Sequence, residues 1–373
     1  MLKLLHAADL HLSESTRDHG LEVLGELVYH ARRLEVDGVL LAGDIFDSPA
    51  ALGALGADFR AALAGLEGIP ALMIPGNHEL SGGRDPATVA ETLGGGAPAL
   101  TVLTAMPFAF HAPEALPELE VLAAPFRREY GDYLEWRPPP KARAHRIGLF
   151  HGVVHGMCFT GDSGEDEQSI IDPDMFGRLE LDYVALGHIH ARRDGRFGEC
   201  LAHYPGSARV WRRGEEGPRM ATLVRLEPGH AGIEPVTLET AGAFHAVTMS
   251  VGEDGALLDY PGPDAALEAL AARHGPNDWV EVTLDGLVES ATPVDLLAAK
   301  LRQGGAGRFR RMDVEAGAVR EAAYLNGHPL VMSFNAQWRP RFEAAVAAGD
   351  RAEADVLRLA RRMVLEEIEQ ALG

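Results

Sequence analysis

The amino-acid sequence predicts an α/β fold, and three observations lead there. Over the first 190 residues, short apolar runs alternate with stretches whose apolar residues recur at helical spacing. The runs are apolar throughout, as expected of strands covered on both faces. Polar motifs follow the runs directly, which is where the ends of parallel strands meet at a crevice.

In chain order the expected strands are Leu2 to Ala7, Gly38 to Ala42, Ala71 to Ile74, Leu119 to Ala123, Ile147 to Phe150 and Tyr183 to Leu186. Between the first two, Leu21, Leu24, Val28, Ala31 and Leu34 share one helix face. Leu55, Phe59, Ala62 and Leu66 do the same before the third. Gly82 to Pro98 reads as a loop on its glycine and proline content. Pro138 to Pro140 reads likewise and leads into a basic patch of Lys141, Arg143 and Arg146. After Glu199 the pattern turns β-rich, with short strands near Ala221–Leu226 and Ile233–Leu238. A composition shift at Thr240–Gly242 marks a boundary, so residues 1–242 form the first domain. Residues 243–316 then read strand (Phe244–Val251), helix (Pro263–Arg273), strand (Trp279–Leu284), helix (Pro293–Leu301) and strand (Phe309–Val314). That order fits a small α+β domain with a split βαβ core. Residues 317–373 end in a helix over Arg341–Leu372, striped by Leu357, Ala360, Val364, Ile368 and Ala371.

The chain has 373 residues, 46% of them hydrophobic and 24% charged, which excludes wholesale disorder. Its 34 basic and 55 acidic residues give a net charge of −21. Such a field repels phosphate and excludes a protein that coats nucleic acid or anionic membrane electrostatically. Cys158 and Cys200 are too few for a disulfide framework and read as thiols in a reducing compartment. His6 and Asp9 interrupt the apolar start, and no run approaches a membrane span, so a cytoplasmic protein is expected.

Five motifs each follow an expected strand: ADLH (Asp9, His11), GDIFD (Asp44, Asp47), GNHE (Asn77, His78), FHG (His151) and GHIH (His188, His190). A lone DxH or HxH is a weak signal, because buried histidines usually just satisfy hydrogen bonds. Five together point to one site. Carboxylate, amide and imidazole without thiolate suit divalent cations of intermediate hardness, such as manganese, iron or zinc. Two such ions can hold a phosphate and neutralise the charge of in-line displacement. A histidine beside a ligand, as His78 stands beside Asn77, can protonate a leaving oxygen.

In this order the motifs resemble the signature of the calcineurin-like metallophosphoesterases. HAADLHL, LGHIHAR and the later YPGS (Tyr204 to Ser207) narrow the likeness to the SbcD and YhaO type of bacterial DNA repair nuclease. The resemblance implies a four-layer sandwich, two mixed β-sheets flanked by helices. It implies two divalent metal ions, Mn2+ by preference. One would be held by Asp9, His11, Asp44 and His190, and the other by Asp44, Asn77, His151 and His188, with His78 as catalytic acid. Asp47 stands where archaeal and eukaryotic relatives tend to carry a histidine. A capping domain over residues 243–316, DNA as substrate, a homodimer and a coiled-coil ATPase partner docked on the C-terminal segment are further implications. The stripe on the last helix suits that docking, and equally suits a helix closing its own core.

Arg192, Arg193 and Arg196 follow GHIH, while Arg209, Arg212, Arg213 and Arg219 surround Trp211. They read either as a basic rim with a stacking face for DNA or as solvated surface. Gly161 to Glu167 reads as an acidic loop, and His155 as a pocket-lining or structural residue. The expected activity is metal-dependent hydrolysis of DNA phosphodiesters. The rivals are a phosphatase or phosphodiesterase of nucleotides and small esters, and a silent adaptor.

Overall fold

A computed structural model describes residues 1–94, 100–104, 110–127, 135–157, 169–321, 325 and 327–372. Cys158, the Gly161 to Glu167 loop and residues 95–98 lie outside the described residues. The chain divides into two compact units, Met1–Ala243 and Phe244–Gly373.

The first unit contains two six-stranded mixed sheets. In spatial order, one consists of His230–Thr237, Met220–Glu227, Leu2–Ala7, Gly38–Leu41, Ala71–Met73 and Leu100–Val102. Leu2–Ala7 runs parallel to Gly38–Leu41 and antiparallel to Met220–Glu227. The other sheet consists of Arg193–Phe197, Cys200–Tyr204, Tyr183–Gly187, His145–His151, Leu119–Ala124 and Phe110–His111. Its four middle strands are mutually parallel, and its outer two run antiparallel to their neighbours.

Strand periodicity sorts the apolar residues into layers. Leu4, Leu40, Leu72, Val121, Leu149 and Ala185 belong to a core shared by both sheets. Their chain neighbours Leu5, Leu41 and Met73 face the other way, toward Leu24, Leu27, Leu52 and Phe59 of the helices Arg17–Arg33 and Pro49–Leu63. On the far face, Leu122, Phe150 and Leu186 meet Met175 and Phe176 of the short helix Asp174–Arg178. The result is two mixed sheets flanked by helices. Strands such as Leu2–Ala7, Leu119–Ala124, His145–His151 and Tyr183–Gly187 are covered on both sides, which is why their sequences are mostly apolar rather than alternating.

Two sequence expectations need correction here. The stretch read as a loop from Gly82 to Pro98 contains the helix Pro86–Leu93. Asp85 caps it by accepting the Ala87 N–H at 2.8 Å, and Pro86 occupies its first position, where a proline costs no hydrogen bond. The basic patch is also not a patch. Arg146 is wholly buried, its Nε donating to Glu120 at 2.5 Å, and Lys141 pairs with Asp182 at 2.7 Å.

In the second unit the strands Ala243–Val251, Trp279–Val288 and Arg311–Glu321 are parallel neighbours in chain order. The helices Pro263–Ala271 and Thr292–Gly305 connect them. This is a plain βαβαβ layer, not the split βαβ expected, because no strand separates the parallel neighbours. The helices Pro329–Ala348 and Arg351–Leu372 follow, joined where Gly349 adopts a φ of 71°. The single terminal helix expected over Arg341–Leu372 is therefore broken at Gly349. Leu357 of its stripe is buried against Ala345 and Trp338, whereas Ala371 is exposed.

Candidate metal centre

The loops at the carboxyl ends of Leu2–Ala7, Gly38–Leu41 and Ala71–Met73 in one sheet meet those after His145–His151 and Tyr183–Gly187 in the other. Two of them run side by side. The Asp9 N–H donates to Gly43 O at 3.1 Å, that of His11 to Asp44 O at 3.0 Å, and that of Leu12 to Ile45 O at 2.8 Å. Along this path Asp9, His11 and Asp44 adopt φ values of 53°, 47° and 50°, and in the fifth loop His188 adopts 94°. Non-glycine residues adopt this left-handed region only where surrounding contacts over-determine it. Gly76 and Gly187 permit close approach. A Cβ on Gly76 would lie 2.2 Å from Asp44 Oδ1, and one on Gly187 1.9 Å from Ala42 O.

The side chains gather into overlapping groups. Asp9, His11 and His190 offer ligand atoms within 4.8 Å of one another, as do Asp44, His151 and His188, and also His11, Asp44 and His78. Asp9, His11, Asp44, His151, His188 and His190 are all buried, while Asn77 and His78 are partly exposed. Asn77 Oδ1 lies 3.0 Å from both His151 Nε2 and His188 Nδ1. The His188 N–H donates to the Asp9 carboxylate at 2.9 Å, tying the fifth loop to the first. The His78 backbone N–H donates to Asp44 Oδ1 at 2.9 Å and its ring Nδ1–H donates to Asp47 O at 2.9 Å, so Nε2 is the nitrogen that can gain and give up a second proton.

Burial dominates the electrostatics and the charged neighbours then divide the groups. Burial, reinforced by Asp44, raises the Asp9 carboxyl to about 7 against the pull of His190 and His151. Burial also opposes ionisation of Asp44, but His151, His11 and His78 outweigh it and hold that carboxyl well below its usual range. Burial lowers His11 to about 4. His151 goes the other way, to about 9, because Asp44 and Asp9 overcome the burial.

These residues fit a pair of cations. His151 Nδ1 donates to Ala42 O at 2.7 Å, which turns Nε2 toward Asp44 Oδ2 at 3.2 Å, where a cation would take the place of the Nε2 proton. His190 Nδ1 bonds Glu215, which aims its Nε2 at His11 Nε2 at 3.1 Å. Among the described residues, His11 Nδ1 is buried with no hydrogen-bond partner, and Asp44 Oδ2 has only His151 Nε2 facing it. Carboxylate oxygens and imidazole nitrogens thus converge with few protons to share among them, an arrangement that cations satisfy better than protons alone.

Several supporting residues escaped sequence reasoning. Glu79, the last letter of GNHE, is fully buried and accepts the N–H groups of Asp44 at 3.1 Å, Phe46 at 2.7 Å and Gly76 at 2.8 Å. Its position in the motif was a signal left unused. Glu215 orients His190 and accepts the Trp211 N–H at 2.7 Å. It lies 25 residues from His190, and no local pattern marks it. Arg209 and Arg219, read as part of a basic rim, are buried and hold backbone carbonyls, Arg209 Nε donating to Leu10 O at 2.5 Å. Trp211, read as a stacking face for DNA, stacks on His11 with ring centroids 3.9 Å apart and planes 11° apart. Arg192, Arg212 and Arg213 do line a cavity of about 700 Å³ that opens beside His190. His155 is exposed.

Comparison with known proteins adds relatives of one kind. The calcineurin-like phosphoesterase family matches residues 2–192. The chain is 29% identical to the DNA double-strand break repair protein Mre11 of Haloferax volcanii over 274 residues, 68% of this chain and 56% of that protein. It is 25% identical to the SbcD component of the nuclease SbcCD of Bacillus subtilis, over 65% of this chain and 70% of that one. It is also 27% identical to the Bacillus subtilis metallophosphoesterase YhaO over 62% of this chain and 59% of that one. The match thus spans little more than half of the Haloferax protein. Among the described residues no helix is long and apolar enough to cross a membrane. The chain belongs to the calcineurin-like phosphoesterase family of metal-dependent hydrolases.

Proposed function

We propose that this protein hydrolyses DNA phosphodiester bonds with two divalent metal ions, as the nuclease component of a complex with a coiled-coil ATPase. The observation that carries the reading is the pair of buried ligand groups, Asp9, His11 and His190 in one and Asp44, His151 and His188 in the other. Asp9, His11, Asp44 and His190 would hold one ion, and Asp44, Asn77, His151 and His188 the other, with Mn2+ the proposed metal. Two bound cations supply charge neutralisation and a nucleophile at neutral pH. The protein's own part is to place His78 beside them, where Asp47 O holds the Nδ1 proton and the ring, once protonated also at Nε2, can pass that second proton to the leaving oxygen. The arginine-lined cavity beside His190 favours a polymeric phosphodiester over a small ester, since it offers charge beyond the reacting phosphate.

The names of two relatives, a double-strand break repair protein and one component of a nuclease complex, point the same way. For the partner we propose the outer face of the last helix, where Val356, Leu359 and Met363 are 65%, 58% and 57% exposed. Capping by the second unit and a cytoplasmic setting complete the proposal.

The deciding experiment offers linear duplex DNA, circular single-stranded DNA and bis-p-nitrophenyl phosphate to the purified protein, with and without Mn2+. Metal-dependent DNA cleavage is expected. Hydrolysis of the small ester alone would reduce the function to a small-ester phosphodiesterase, and no turnover of any substrate would leave an adaptor.

A further inference from the structure

We propose that His245, His274 and Asp278 form a separate metal site in the second unit, one that takes a single Zn2+-like cation. His245 lies near the start of the strand Ala243–Val251. His274 and Asp278 sit in the connection between the helix Pro263–Ala271 and the strand Trp279–Val288. The two strands are parallel, with His245 opposite Val280, so the connection returns to the edge where His245 stands. Ligand atoms of the three side chains all come within 4.8 Å of one another.

The geometry is close to what an ion requires. His245 Nε2 and Asp278 Oδ2 are 3.0 Å apart, and the two imidazole centroids 4.1 Å apart with planes at 32°. Zinc ligands at about 2.0–2.1 Å in tetrahedral array stand roughly 3.3 Å from one another, so small side-chain rotations suffice. The Gly275 N–H donates to the same Asp278 oxygen at 2.8 Å and fixes the carboxylate, as outer partners of metal ligands do. All three side chains are partly exposed, which gives an ion a way in and water a coordination position. Two imidazoles and one carboxylate suit zinc better than the harder ions that oxygen-rich sites select. The His245–Asp278 hydrogen bond and the packing of the two imidazoles bring the three residues together, and one cation could bind all three at once. It would pin the strand–helix–strand unit at one edge. The site shares no residue with the centre around Asp44.

The test measures Zn2+ bound by the full chain after chelation, equilibrium dialysis and metal analysis. His274→Gln and Asp278→Asn should each lower the bound zinc by one equivalent, both in the wild-type background and in an Asp44→Asn/His151→Ala background. Unchanged stoichiometry in both folded variants would overturn the site. A second measurement needs no variant. Zinc alone should suppress diethyl pyrocarbonate modification of His245 and His274 together, read by peptide mass. Modification of both at an undiminished rate in saturating zinc would equally overturn it.

Discussion

His78 and Glu79 are adjacent residues with different duties, and single substitutions separate them. His78→Ala should lower turnover by about 10²–10⁴-fold while the chain keeps its metals, because only the proton donor is lost. Metal analysis beside single-turnover kinetics checks both halves, and an unchanged rate would end the leaving-group role. Glu79 touches no substrate. Its carboxylate gathers three backbone N–H groups that set the Asp44 and Gly76 turns. Glu79→Gln places an amide N–H₂ against at least one of these donors, at a cost of about 1–3 kcal/mol. A 10–100-fold weaker metal affinity should follow. Urea unfolding and metal titration read the two effects, and normal values in both would reduce Glu79 to a bystander.

At the level of strands, a polar seam lies within the first unit's sheets. His6 Nδ1 bonds the Tyr183 hydroxyl at 2.8 Å, and His203 Nε2 bonds the Thr222 hydroxyl at 2.8 Å. Burial holds His6 well below its ordinary value, and burial with Arg192 lowers His203 to about 3. Both rings stay neutral when folded and bind protons first when unfolded. Their stabilising effect is therefore complete above about pH 6.5 and shrinks as pH falls below it, by at most about 1.4 kcal/mol per histidine per pH unit. Melting temperature should drop between pH 7 and 5, with a shallower slope in His203→Gln; equal slopes would remove His203 from the account. The strands bearing this seam show what sequence can and cannot convey. Leu2–Ala7 and Tyr183–Gly187 were legible because burial on both faces demands an apolar run. Arg193–Phe197, an edge strand of alternating exposure, has no such run, and the proline of Pro86–Leu93 resembles a loop until its capping Asp85 is considered.

On the scale of the whole chain, the metal-binding motifs were readable because each sits where a strand must end. Glu215 and Arg209 were not, since they reach the centre through folding alone. The expected DNA-facing arginines divided for the same reason, Arg209 and Arg219 being consumed in holding loops together. The terminal helical pair keeps Leu357 and Leu365 inside and Val356, Leu359 and Met363 outside. Replacing those three exposed residues with glutamate should abolish co-purification with a coiled-coil ATPase while leaving hydrolysis of bis-p-nitrophenyl phosphate intact. Persistent co-purification would move the interface elsewhere.

The left-handed backbones of Asp9, His11, Asp44 and His188 also bear on how such a chain ages. Each carries a conformational cost of roughly 1–2 kcal/mol that only function justifies. Among replacements at these four positions glycine is the one that escapes that cost, so a lineage that has lost its hydrolytic role should accumulate glycine there rather than alanine. The laboratory counterpart is direct. Asp44→Gly and Asp44→Ala remove the same carboxylate, yet the glycine variant should melt at the higher temperature, and the opposite order would show that the turn carries no such cost.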